Sequence, residues 1–158
     1  MMKLRKVFSA AAVSMISGTA LAQDSGWQRY VVPVTGARVD IPTAIFSADA
    51  GEPDVGYGHR FVTSDGRANL TVQSFPNEAN DSPAAFLAKQ SPPPGIMYRR
   101  VTPGFFAVSS QRNGKIWYNR CNAAGRFMNC VLINYPAAEK RQWDSMVTRI
   151  SRTLTSRS

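Results

Sequence analysis

The stretch Cys121-Asn122-Ala123-Ala124-Gly125-Arg126-Phe127-Met128-Asn129-Cys130 decides how this sequence is read. A two-residue turn at Gly125-Arg126 puts glycine at the first central position, which a type II′ hairpin requires. Counting outward pairs Ala124 with Phe127, Ala123 with Met128, Asn122 with Asn129 and Cys121 with Cys130. Hydrogen-bonded and non-hydrogen-bonded pairs alternate along an antiparallel ladder, and this count places the cysteines on a non-hydrogen-bonded pair. Their Cβ atoms are closest there, so a cross-strand disulfide between Cys121 and Cys130 is expected. A longer loop from Asn122 to Gly125 would shift the register and leave the sulfurs staggered. Constraining so short a loop is worth about 2–3 kcal/mol through the unfolded chain. The cysteines lack the short spacing of a thioredoxin-type redox pair.

The residues on either side continue as strands. Lys115–Cys121 and Phe127–Tyr135 form the arms of this hairpin, and Asn113-Gly114 joins the first arm to a strand over Phe105–Gln111. Ile96–Val101 precedes it across Pro103-Gly104. Downstream, a helix is predicted from about Pro136 to Leu154, because Trp143, Met146, Val147, Ile150 and Leu154 recur at three- and four-residue spacing. Arg141, Arg149 and Arg152 mostly face elsewhere on it, and the basic bias of its last turns suits the helix dipole. Upstream, Ala84–Gln90 reads as a short helix, capped by Asp81 or Ser82 with Pro83 at its first position. Ser91-Pro92-Pro93-Pro94-Gly95 ends it. Further upstream, Tyr57–Thr63 and Arg67–Phe75 read as strands joined by Ser64-Asp65-Gly66. In the second, Leu70, Val72 and Ser74 face one way and Asn69, Thr71 and Gln73 the other. Thr43–Gly56 reads as a loop. Trp27–Val34 and Ala37–Ile41 read as a hairpin over a tight Thr35-Gly36 turn. The expected class is α+β: a mostly antiparallel sheet built from hairpins, covered by a short middle helix and a long C-terminal amphipathic helix.

Composition agrees. The chain has 158 residues, 44% apolar and only 18% charged, which excludes an intrinsically disordered polymer. One His and two Cys exclude multi-histidine metal centres and zinc ribbons. Met1–Lys6 is cationic through Lys3, Arg5 and Lys6, Val7–Leu21 is uncharged, and Ala20-Leu21-Ala22 is a small-x-small cleavage pattern. Residues 1–22 are therefore expected to be a cleaved signal peptide and residues 23–158 a single globular domain, periplasmic or secreted. A membrane span needs about 20 strongly apolar residues, and this stretch is shorter and diluted by Ser and Gly. No later segment is apolar long enough to span. Removing the three cationic residues of the signal takes the formal charge from +9 to +6. The cysteine pair fits the oxidising compartment such a signal leads to.

Candidate chemistry is sparse. His59 is the only imidazole, and no nucleophile-elbow pattern surrounds any serine. Gly56 and Gly58 lack the lysine and the following helix of a phosphate loop. The ten carboxylates form no calcium loop or paired acid–base site, and nothing calls for a cofactor. The leading expectation is an exported, non-catalytic accessory or binding module, partnered by another envelope protein or an anionic envelope component. Trp117, Tyr118 and Arg120 are its candidate contact residues, being residue types that dominate interfaces. An alternative is a binder of a small or polymeric anion, which expects Arg99, Arg100, Arg112 and Arg120 to converge on one concavity. An enzyme or enzyme inhibitor is the third, and would need a carboxylate in a pocket with His59. A nucleic-acid partner is not expected, because no basic-aromatic recognition motif is present.

Tyr30-Val31-Val32-Pro33 leading into Val39-Asp40-Ile41-Pro42, with the order of elements and the terminal helix, resembles the PsbP-like α/β sandwich. The chain is also similar to small exported bacterial proteins of uncharacterised function that end in a cysteine hairpin, Tyr135-Pro136 and an amphipathic helix. The resemblance covers most of residues 27–154. It implies an accessory or binding role and carries no functional residue across.

Overall fold

The computed structural model describes residues 26–91 and 94–156. The signal-peptide reading of residues 1–22 lies outside the described residues. Nine strands and two helices are present among them: β1 Trp27–Val31, β2 Arg38–Pro42, β3 Ala48–Asp49, β4 Tyr57–Val62, β5 Asn69–Pro76, α1 Pro83–Lys89, β6 Ile96–Val101, β7 Phe105–Arg112, β8 Lys115–Ala124, β9 Phe127–Pro136 and α2 Lys140–Thr153. A 3-10 turn over Ala137–Glu139 leads into α2. The fold is α+β. β3 to β9 form one antiparallel sheet in the order β3-β4-β5-β9-β8-β7-β6, and β1-β2 form a separate ribbon.

The cysteine hairpin has the register expected of it, Cys121 opposite Cys130 and Ala124 opposite Phe127. Gly125 has φ +60 and Arg126 does not share the positive sign, the signature of a type II′ turn. Cys121 and Cys130 are joined by a disulfide, with Cα atoms 4.1 Å apart. At Asn113-Gly114 both central residues have positive φ, 50 and 71, which makes the β7–β8 turn type I′. Ser82 caps α1, its Oγ accepting the Ala85 amide at 3.2 Å, and Pro83 opens the helix.

Two expectations need correction. The first hairpin does not close over Thr35-Gly36: Val31 pairs with Arg38, and the Val32 amide donates to the Ala37 carbonyl across Pro33–Gly36. Pro33 has no N–H to give a ladder, so the turn widens around it; the shift is by two residues, and each side chain keeps its face. The Thr43–Gly56 loop also contains β3, a two-residue edge strand on β4.

Strand alternation sorts the core into two layers. On one face, Leu70, Val72, Ile116, Val131 and Ile133 meet the β1-β2 ribbon and the α2 stripe of Trp143, Val147, Ile150 and Leu154. On the other, Phe106, Val108, Met128 and the disulfide meet Phe86 and Leu87 of α1. A polar chain, buried at its centre, ties the first layer together. Thr35 Oγ1 lies 2.8 Å from Ser74 Oγ, which donates to Asn129 Oδ1, and Asn129 Nδ2 donates to Ser156 Oγ. Gly58 has φ +147, and a Cβ there would collide with the Val72 carbonyl. The glycines near His59 therefore let β4 approach β5 closely.

Candidate binding site

Every strand in the β6–β7–β8 strip presents alternate residues to the α2 face. Cross-strand register aligns Tyr98, Ser109 and Tyr118 in one row and Arg100, Ala107 and Arg120 in the next. Buried Ala107 lies between the two arginines and leaves a hollow where a larger side chain would stand. Helix α2 packs on β9 and the ribbon, so it closes this hollow on one side only, with Thr148, Ser151 and Arg152. The resulting concavity has a volume of about 280 Å³.

Two of its cations, Arg100 and Arg120, are held in place by neutral groups. The Arg120 guanidinium stacks 4.1 Å from the centre of the Phe105 ring, and that of Arg100 lies 5.4 Å from the same ring. Such contacts favour a cation over an aromatic face. Arg120 Nε donates to Asn122 Oδ1 at 3.0 Å, and Asn122 Nδ2 donates to the Leu154 carbonyl at the end of α2. The arginine is thus anchored through the helix terminus. Tyr118 Oη lies 2.7 Å from Ser151 Oγ, and burial pushes its phenol pKa up, so it stays neutral.

No carboxylate among the described residues lines the concavity. Among the described residues, the ion pairs engage Asp40, Asp49, Asp54, Asp65, Asp81, Glu139 and Asp144 with other cations. Arg100, Arg120 and Arg152 take part in none. Two guanidiniums beside one ring and a third across the hollow repel one another, and an anion placed among them relieves that repulsion. Paired oxygens of a carboxylate match the guanidinium fork.

The residues singled out in the sequence divide between the two faces. Arg100, Tyr118 and Arg120 come together in this concavity. Arg99 stands opposite Val108 and Arg112 opposite Lys115, both on the α1 face by strand alternation. Trp117 also faces that side and lines a different cavity. Tyr98, Phe105 and Arg152 were not singled out. Tyr98 and Arg100 are two apart on one strand, so period-two reading could have paired them. Arg152 needed the docking of α2, which no local pattern gives.

His59 does find a carboxylate. Its Nε2 lies 2.8 Å from Asp49 Oδ1, and its ring packs 5.0 Å from that of Phe61. The Gly51 amide and then His59 hold the Asp49 carboxyl below the usual carboxylate range. Asp49 is on the edge strand β3, so the pair fastens β3 to β4. Neither residue lines the concavities described here, and the arrangement is that of a clasp.

No protein-family model matches the sequence, and no curated protein matches it. Solved structures do match the fold. The cyanobacterial PsbP, CyanoP, from Synechocystis sp. PCC 6803 superposes with a TM-score of 0.58, covering 92% of this chain and 99% of that one at 10% identity. The fold is PsbP-like. The Ran-binding protein Mog1p of Saccharomyces cerevisiae superposes with a TM-score of 0.54, covering 82% of this chain and 95% of that one, also at 10% identity. At that identity the likeness concerns the fold alone.

Proposed function

We propose that this protein is an exported, non-catalytic binding module that holds an acidic surface of a partner protein in the cell envelope. The observation that carries the reading is the concavity that Arg100, Arg120 and Arg152 line together with no carboxylate among the described residues there. Two features of the chain and one structural likeness favour a protein partner. The hollow is concave and walled on one side by α2, whereas a bilayer surface calls for a flat patch. Tyr98 and Tyr118 stand beside the arginines, and Tyr and Arg are the residues on which protein interfaces most depend. Mog1p, which shares the fold, is a Ran-binding protein, so the sandwich can present a protein-binding surface. The signal-like sequence pattern of residues 1–22 and the Cys121–Cys130 disulfide both fit an oxidising compartment. Among the described residues, no helix is long and apolar enough to cross a membrane.

The test is capture from an envelope extract with tagged protein, beside the Arg100→Glu/Arg120→Glu variant. A stoichiometric protein retained by the parent and lost from the variant is the expected result. Retention by both, or by neither, would refute the reading.

A further inference from the structure

The α1 face holds a second site of a different character. A cavity of about 110 Å³ opens between α1 and the β7–β8 strands, and it is the most enclosed concavity described. Its walls are Phe86 from α1, Phe106 and Val108 from β7, Trp117 from β8 and Leu132 from β9. Among the described residues, none that lines it is charged. Gln90 and Asn119 bring polar side chains to the same space.

We propose that this cavity binds a neutral molecule carrying a single aromatic ring with one hydrogen-bonding substituent. Size sets the first limit. An apolar cavity of roughly 150 Å³ in an unrelated protein stays dry and takes up benzene. A space of about 110 Å³ is smaller still, so it encloses at most one ring, with the substituent toward the open mouth, and does not hold a fused pair or a long acyl chain. Wall chemistry sets the second. Phe86 and Phe106 stack at 6.5 Å with Phe75 tilted against Phe86 at 5.7 Å, so the pocket already offers aromatic faces and edges for a further ring to meet. Charge sets the third. An ionised ligand would lose its hydration with no countercharge in the lining, whereas a hydroxyl or carbonyl could be met by Gln90 or Asn119. Trp117 is 42% exposed, a large apolar side chain left at the surface beside an apolar hollow. The site is on the opposite face of the sheet from the arginine concavity, so the two proposals stand or fall separately.

The probes are phenol and benzoate, titrated into the full exported protein. Binding is followed through Trp117 fluorescence, in a background where Trp27 and Trp143 are replaced by Phe, and through the methyl resonances of Leu87, Val108 and Leu132 in the parent protein. Phenol should give a saturable shift at these groups, and benzoate should bind at least tenfold more weakly. Val108→Phe fills the space and should abolish the shift. Should that variant fail to fold, Leu132→Ala enlarges the same space and should admit naphthol, which the parent protein excludes. No saturable response to phenol, equal affinity for benzoate, or an unchanged response in a folded Val108→Phe protein would each overturn the proposal.

Discussion

Asn122 shows how one side chain can set the geometry of a charge it does not carry. It accepts from Arg120 Nε and donates to the Leu154 carbonyl, so it couples the guanidinium on β8 to the end of α2. Replacing it with Ala frees the arginine and leaves a carbonyl without its donor. A loss near 1 kcal/mol follows from one such hydrogen bond, which is about a fivefold weaker affinity for an acidic partner. Titration of the Asn122→Ala protein with an acidic peptide, beside its melting curve, checks this. Tyr135 makes a different single-residue prediction. Its ring stacks on Trp143 at 5.4 Å, and burial pushes its phenol up to about 12. The neutral form is the one the folded state favours. This contribution is therefore whole below the unfolded phenol range, near pH 10, and drains away as pH rises toward about 12. Denaturation midpoints measured from pH 9 to 12 should fall more steeply for the parent protein than for Tyr135→Phe.

Among the elements, the disulfide hairpin is the most constrained. Its sulfurs lie in the α1 layer with Met128 and Phe106, and the bond closes a loop with a sequence separation of only nine. Serine at both positions should cost about 2–3 kcal/mol by denaturant unfolding, mostly through a freer unfolded chain. The unreduced natural protein should also be lighter by two hydrogens than its reduced form. This hairpin was legible from sequence because its register rests on one glycine and a count of residues. The type I′ turn at Asn113-Gly114 and the Ser82 cap of α1 were legible for the same local reason. The wider turn around Pro33 was not, because the Thr35-Gly36 signal is a plausible turn too and the ladder decides between them. β3 has two residues and no pattern to read; it exists because β4 offers it an edge and Asp49 reaches His59. The arginine concavity was half legible. Alternation alone separates Arg99 from Arg100, but placing Arg152 beside Arg120 needs tertiary docking of α2.

For the molecule as a whole, the sheet separates two environments that a formal charge of +9 would not reveal. One face carries the ribbon, α2 and an arginine-lined hollow with no acid among its described residues. The other carries α1, the disulfide and an uncharged apolar cavity. Positive charge spread over the surface draws acidic partners from a distance of about a Debye length, roughly 8 Å at physiological salt, whereas the walled hollow gives them a place to dock. The most direct test is to titrate isotope-labelled protein with a glutamate-rich hexapeptide and map the resonances that move. The shifts should saturate, centre on Tyr98, Arg100, Phe105, Tyr118, Arg120 and Arg152, and weaken as salt is raised. Shifts centred elsewhere, or none at millimolar peptide, would contradict the assignment of that concavity as the binding site.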